Sequence, residues 1–240
     1  MPVIYEPKGR AREYAPLACN LMTGCVHACR YCYCPAILRK TRAEWAVPRP
    51  RKDVLKQLER EAQARAGDPR EILFSFISDP YQTQEAAELT RAALEICGKY
   101  ARRVTVLTKN GSLAAWDFKY LASHHWSFGS TVCFLDERLR AYWEPCAPTI
   151  SGRLSAIREA HEHGIRTWVS VEPVVDAEAA LEVMRVLWPV VDYWKVGKIN
   201  HDRATEAATD WRAFLLEARA ILAGSDVYWK RDLLDAAGEA

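Results

Sequence analysis

Along the chain, short runs of apolar and β-branched residues alternate with longer stretches in which apolar positions recur every three or four residues. The compact runs predict strands at 18–23, 71–77, 103–108, 126–133, 166–171 and 192–197. Helical periodicity fills the intervals at 35–38, 53–66, 84–100, 114–123, 151–164, 177–187 and 205–223, and a late strand is expected at 226–229. The run VTVLT at 104–108 and the run RTWV at 166–169 are the kind that parallel strands buried on both faces require. Gly164 stands where a helix C-cap belongs. Strand followed by helix, six times over, predicts a parallel sheet with right-handed crossovers. No GxGxxG turn follows any of these strands, so the doubly wound nucleotide fold loses ground. The expected class is α/β, a partial (β/α)6 TIM-like barrel, built as a single domain over residues 1–240 with its barrel core at about 17–232. In such barrels the chemistry stands at the C-terminal ends of the strands, and that rule sorts the polar residues below.

Composition changes this picture in two places. The 240 residues are 50% hydrophobic and 27% charged, enough for one ordinary core, and a net charge of +2 neither demands nor excludes a nucleic-acid partner. Residues 1–14 contain no apolar signal core, and no later run reaches the ~18 apolar residues of a membrane span, so a cytoplasmic protein with no membrane partner is expected. In that compartment eight cysteines are not expected to form a disulfide framework. Four of them fall between Cys25 and Cys34, which points to a metal site.

Residues 25–32 read Cys-Val-His-Ala-Cys-Arg-Tyr-Cys, a C-x3-C-x2-C spacing directly after the first strand. Thiolates are soft ligands that favour iron–sulfur clusters, zinc or copper(I). Three of them hold three irons of a cubane and leave the fourth iron open to an exogenous chelator. Zinc, with Cys34, His27 or Cys19 as fourth ligand, is the competing reading, although zinc ligands usually come as two separated pairs and no second CxxC pair follows.

On Cys25, Cys29, Cys32 and the aromatic Tyr31 the chain resembles the radical S-adenosylmethionine (SAM) superfamily. Further blocks recur in order: Phe74-Ser75-Phe76-Ile77-Ser78-Asp79-Pro80-Tyr81-Gln82, Thr108-Lys109-Asn110, Gly129-Ser130-Thr131-Val132, Glu144-Pro145, Arg153, Val171-Glu172-Pro173 and Val227-Tyr228-Trp229-Lys230. Together they are similar to the spore photoproduct lyase-like family. The Val-Ser-Val-Glu-Pro block is also similar to a phage-associated radical family. The resemblance implies a [4Fe–4S] cluster that reductively cleaves S-adenosylmethionine to a 5′-deoxyadenosyl radical, which abstracts a substrate hydrogen. It implies a one-electron reductant such as flavodoxin or ferredoxin, and leaves lyase or transferase chemistry open.

By that resemblance Tyr31, Ser78, Lys109 and Ser130 match positions that contact S-adenosylmethionine, and an ammonium with two hydroxyls suits a carboxylate and ribose oxygens. Glu144 and Arg153 read either as ribose contacts or as an ion pair across the loop. Asp79 and Glu172, at strand ends, are candidates to orient cofactor or substrate. The chain departs from the lyase at Phe76, where that enzyme carries its hydrogen-donor cysteine, which puts thymine-dimer reversal in doubt. Cys146 is a substitute donor or a small buried thiol, and His201, after the sixth strand, is a candidate for substrate contact or proton transfer. His124 and His125 precede the fourth strand and belong to the other end. Arg39-Lys40-Thr41-Arg42 and Arg49-Pro50-Arg51-Lys52, with Trp45 between them, read as a nucleic-acid loop with a stacking aromatic or as a solvated basic loop. A peptide or small-molecule substrate would use the same cofactor motifs. A non-catalytic metal protein would need the cysteines alone.

Overall fold

The computed structural model describes residues 2–239. Its strands are β1 (Ile4–Tyr5), β2 (Leu17–Cys19), β3 (Met22–Thr23), β4 (Arg49–Pro50), β5 (Ile72–Phe74), β6 (Val104–Thr108), β7 (Ser127–Thr131), β8 (Arg166–Val174), β9 (Tyr193–Lys198) and β10 (Asp226–Trp229). β2, β5, β6, β7, β8, β9 and β10 pair in that order, all parallel, and β1 runs antiparallel on the β2 edge. All six expected parallel strands are present, and the late run adds a seventh. β3 and β4 form a separate antiparallel pair beside the cysteine loop.

The helices between the strands follow their sequence signals closely. Thr83 caps Gln84–Lys99 by accepting from the Ala86 amide, and Thr149 caps Ile150–Glu162 through Gly152. Asp176 caps Ala177–Leu187 through Ala179, and Asp210 caps Trp211–Ile221 through Ala213. The stretch at 205–223 is not one helix: it divides into Arg203–Ala208 and Trp211–Ile221, because Asp202 and Asp210 each start a new helix. The stretch at 114–123 also divides, into Gly111–Ala114, a 3-10 turn Ala115–Asp117, and Phe118–Ser123. The buried Asp117 carboxylate at that break accepts from the Tyr81 hydroxyl at 2.6 Å and pairs with Arg91.

Two apolar clusters result. The larger lies between the sheet and its helices and takes Phe74, Val104, Val106, Phe128, Val169, Val171, Trp194 and Val196 from alternate strand positions. The smaller fills the inside of the curved sheet with Tyr14, Ala15, Leu73, Phe76, Leu107, Trp168 and Tyr193. Trp168 donates its indole N–H to Thr105 Oγ1 at 2.9 Å and lies flat against β7. A Cβ on Gly129 would stand 2.2 Å from the indole, so only glycine lets Trp168 fill that space.

The residues before β2 reach from one edge of the sheet towards the other. Lys195 on β9 donates to the Glu13 carbonyl at 3.1 Å and to that of Tyr14, while Glu13 accepts from the Arg231 amide at 3.1 Å. The Tyr14 hydroxyl meets Ser170 at 2.9 Å and donates to Glu172. Among the described residues no helix is long and apolar enough to cross a membrane.

Candidate active site

Directly after β2, Asn20 gives its carbonyl to Arg51 and turns its side chain onto the residues that follow β5. Its Oδ1 accepts from the Ser75 hydroxyl at 3.1 Å and from the amides of Phe76 and Ile77 at 2.8 and 3.0 Å. Those two amides are lost to the ladder, so β5 ends at Phe74 and residues 75–82 become a loop at the strand C-terminus instead of continuing the expected strand to 77. This loop then grips the cysteine loop. The Ser78 hydroxyl donates to the Gly24 carbonyl at 2.7 Å, and Gln82 donates to Ser78 Oγ at 2.7 Å while its Oε1 accepts from the Val26 amide at 2.8 Å. Gly24 has φ +94°, and a Cβ there would lie 2.8 Å from the carbonyl oxygens of Trp45 and Val47.

The cysteine loop itself carries three unpaired thiols. Cys29 is buried, Cys25 and Cys32 are half-buried, and all eight cysteines of the chain are free. The Cys32 amide closes a turn on the Cys29 carbonyl at 3.1 Å. Burial pushes the Cys25 and Cys29 thiols up to about 12, with the Asp79 charge adding to it at Cys25 and Lys109 opposing it at Cys29. A hydrogen bond from the Cys34 thiol brings Cys32 down to about 6. Two thiols costly to ionise in a buried place are what a cationic iron–sulfur core stabilises as thiolates. Among the described residues no three His, Cys, Asp or Glu side chains converge as a single ion demands. Cys19 packs in the outer core, and His27 is turned to Asp79, so neither supplements the three thiols. Three soft thiols on one loop, with Cys34 hydrogen-bonded to Cys32 beside them, are a donor set whose chemistry suits an iron–sulfur cluster.

Two charged groupings flank the loop. On one side His27 Nε2 lies 3.0 Å from Asp79 Oδ2, close but outside hydrogen-bond alignment, with both residues' side chains buried. Asp79 accepts from the Lys109 amide at 2.7 Å, the Thr108 hydroxyl at 2.6 Å and the Tyr81 amide at 2.8 Å. Burial alone would raise its pKa, but the neighbouring His27 and these donors hold it at about 2. On the other side Glu144, fully buried, meets Arg153 at 2.5 Å, lies 3.7 Å from the Lys109 ammonium and accepts the Tyr31 hydroxyl. Arg153, also fully buried, donates to the carbonyls of Thr131 and Pro148 at 3.1 Å. Burial works against the Glu144 charge, yet Lys109, Arg153 and Tyr31 together keep its pKa below the usual carboxylate range. Lys109 stays 14% exposed, and its ammonium also stands 5.6 Å from the Tyr31 ring centre.

Thus Tyr31, Ser78, Asp79, Lys109, Glu144 and Arg153 are brought together around the three cysteines, and Glu144 with Arg153 forms the ion pair across the loop. Ser130 is fully buried with its hydroxyl on the Thr108 carbonyl at 2.8 Å, which ties β7 to β6 behind Lys109. Glu172 lies apart, on β8, bound to Tyr14 and 3.4 Å from Lys230. Cys146 is an exposed thiol, not a buried one, and its amide donates to the His27 carbonyl at 3.2 Å, which anchors it to the cysteine loop. His201 is exposed on the turn after β9, in a left-handed backbone conformation. His124 and His125 precede β7, at the opposite strand ends.

In the basic loop the stacking role expected of Trp45 is not borne out. Trp45 is only 4% exposed, and its carbonyl accepts from the Cys25 amide at 2.9 Å, so it is a strut of the cysteine loop and offers no face to a base. Arg42 and Arg51 turn onto main-chain carbonyls, while Arg39, Lys40, Arg49 and Lys52 stay on the surface. Asn20 carried no sign in the sequence, and Gln82 stood there only as the end of the 74–82 block, without a role. The four-residue spacing from Ser78 to Gln82 was the one available sign of the second.

Residues 19–177 match the radical SAM superfamily, and the chain belongs to it. Members of this superfamily use a [4Fe–4S] cluster and S-adenosylmethionine. Its fold is shared with spore photoproduct lyase: a mutant of that enzyme solved with bound S-adenosylmethionine and dinucleoside spore photoproduct superposes with a TM-score of 0.63 at 17% identity, over 92% of this chain and 64% of the lyase. SuiB of Streptococcus suis, solved with S-adenosylmethionine, gives a TM-score of 0.64 at 14% identity over 92% of this chain and 52% of its own. An uncharacterized protein of Methanocaldococcus jannaschii, MJ0683, is 27% identical over 161 residues, which are 65% of this chain and 59% of that protein. The chain thus matches less than two thirds of the length of each of these three relatives.

Proposed function

We propose that Cys25, Cys29 and Cys32 hold the cluster, and that the enzyme abstracts hydrogen from a nucleic acid or nucleotide in a repair or modification reaction. The observation that carries the cluster assignment is the one loop with three free thiols, braced by Ser78 and Gln82 and flanked by Asp79 and Lys109. When bound, the cluster supplies the electron that cleaves S-adenosylmethionine into methionine and the hydrogen-abstracting radical. The chain's own residues orient and insulate. Lys109 offers its ammonium to the cofactor carboxylate, while Glu144 and Tyr31 hold that ammonium at the loop. Arg153 neutralises the rest of the Glu144 charge, and Ser78, Asp79 and Ser130 fix the backbone behind it. In this reading Glu172, held by Tyr14 and Lys230, orients substrate from β8. In the same reading the exposed Cys146 thiol returns a hydrogen atom and His201 contacts substrate from the turn after β9.

The nucleic-acid reading rests on the exposed Arg30, Arg39, Lys40, Arg49 and Lys52 around the loop, together with the fold shared with a lyase that was solved with a dinucleoside lesion. Phe76, at the donor-cysteine position of the lyase, argues for a substrate other than its thymine dimer. A flavodoxin or ferredoxin is the proposed reductant. The test is anaerobic reconstitution followed by assay of 5′-deoxyadenosine with DNA, RNA or peptide present. Stimulation by nucleic acid, with binding that falls steeply with salt, supports the reading; stimulation by peptide alone overturns the substrate class.

A further inference from the structure

The segment 41–50 folds back along the cysteine loop as a buckle. Thr41 and Glu44 form a reciprocal capping box that fixes the short helix Arg42–Trp45, β4 pairs with β3, and the Trp45 carbonyl takes the Cys25 amide. At the start of that helix the Arg42 guanidinium makes a fork. Nη1 donates to the Cys29 carbonyl at 2.8 Å, and Nη2 donates to the Arg30 carbonyl at 2.6 Å and the Cys32 carbonyl at 3.4 Å. Its partners are all main-chain oxygens, and two of them belong to cysteines proposed to hold the cluster.

We infer that Arg42 is a positioning residue for the cluster. By drawing three carbonyl oxygens of the turn 29–32 to one side, it turns the negative ends of those peptide dipoles onto itself and away from the thiols. It also places a permanent positive charge on the outer side of the same turn. Hydrogen bonding around the sulfurs and net local charge are two of the determinants of an iron–sulfur potential, so Arg42 both retains the cluster and raises its potential. Arginine suits this role because its planar fork carries several donors in fixed geometry; lysine keeps the charge without the fork.

The inference rests on the cluster assignment above, and the test separates the two. Cysteine variants lose the cluster, whereas Arg42 variants keep one with altered properties. Arg42→Gln and Arg42→Lys enzymes, reconstituted anaerobically, are compared with wild type by redox titration followed by electron paramagnetic resonance and by the rate of iron release to a chelator. In Arg42→Gln the reduction equilibrium is expected to fall on the order of tenfold, equal to about 59 mV for a one-electron couple, and iron release to quicken by a similar factor. Arg42→Lys should restore most of the potential but not the slow release. An unchanged potential in cluster-loaded Arg42→Gln protein overturns the inference, whether or not the cluster is lost faster, because that leaves Arg42 a brace of the loop alone. A lysine variant indistinguishable from the glutamine variant in potential overturns it as well.

Discussion

The buried pair Glu144–Arg153 gives the sharpest test of how the site is held. Both side chains have zero exposure and meet at 2.5 Å, while the next cation, Lys109, stands at 3.7 Å. By inverse distance Arg153 carries about one and a half times the attraction of Lys109 for this carboxylate. Removing one partner of a buried pair costs about 3–5 kcal/mol, because a buried charge is left uncompensated. In Arg153→Met, Lys109 and the Tyr31 hydroxyl still serve Glu144, so a loss near the lower end, about 3 kcal/mol, is expected. Glu144→Gln strands the Arg153 guanidinium among the carbonyls of Thr131 and Pro148, and should cost about as much. The double variant has no buried pair to break and should also lose about 3 kcal/mol, which leaves a coupling energy of about 3 kcal/mol. Anaerobic urea denaturation of the four proteins, followed by tryptophan fluorescence, measures the cycle. Additive losses near 6 kcal/mol in the double variant, with coupling under about 0.5 kcal/mol, would refute the account of Glu144 and Arg153 as one unit.

Gly129→Ala should destabilise by about 1–3 kcal/mol or more, as its new methyl meets the Trp168 indole, and Trp168→Phe should recover part of that loss in thermal unfolding. Gln82→Leu leaves the Val26 amide without its acceptor, so iron release to a chelator should quicken several-fold, by roughly the worth of one hydrogen bond. Burial, reinforced by Lys230, brings Lys195 down to about 8 from 10.5. A base whose folded pKa lies below its unfolded one binds fewer protons folded than unfolded between those values, so its penalty is full below pH 8 and gone above 10.5. The unfolding free energy of wild type relative to Lys195→Met should therefore rise by about 2–3 kcal/mol from pH 7 to 10.5, and a flat difference would contradict it.

The parallel strands were legible because β6 and β8 carry the β-branched, doubly buried runs that only such a sheet needs. The cysteine loop was legible because ligand spacing is local. Lys109, Glu144 and Arg153 were singled out by their blocks, but whether the last two touch each other or a ribose depended on how the loop after β7 folds. Asn20 could not be read, since its work is to take amides 56 and 57 residues away from the β5 ladder. Within the basic loop the burial of Trp45 and the turn of Arg42 onto main-chain carbonyls were not legible for the same reason: charge is visible in a sequence, and the direction of a side chain is not. Only the Thr41 and Glu44 spacing hinted that Arg42 and Trp45 were fixed in a short helix turned towards the cysteines. Phe76 reads alike as a missing donor cysteine and as a core residue; its place in the inner cluster beside Tyr14 makes it part of the packing inside the sheet.

The most direct measurement is iron and acid-labile sulfide content of anaerobically reconstituted protein, together with electron paramagnetic resonance of the reduced form before and after S-adenosylmethionine is added. Four irons and four sulfides per chain, with a spectrum that changes on adding the cofactor and with both lost in Cys25→Ala, Cys29→Ala and Cys32→Ala, is the predicted result. A single zinc without sulfide, or a cluster that survives all three substitutions, would contradict the account at its base.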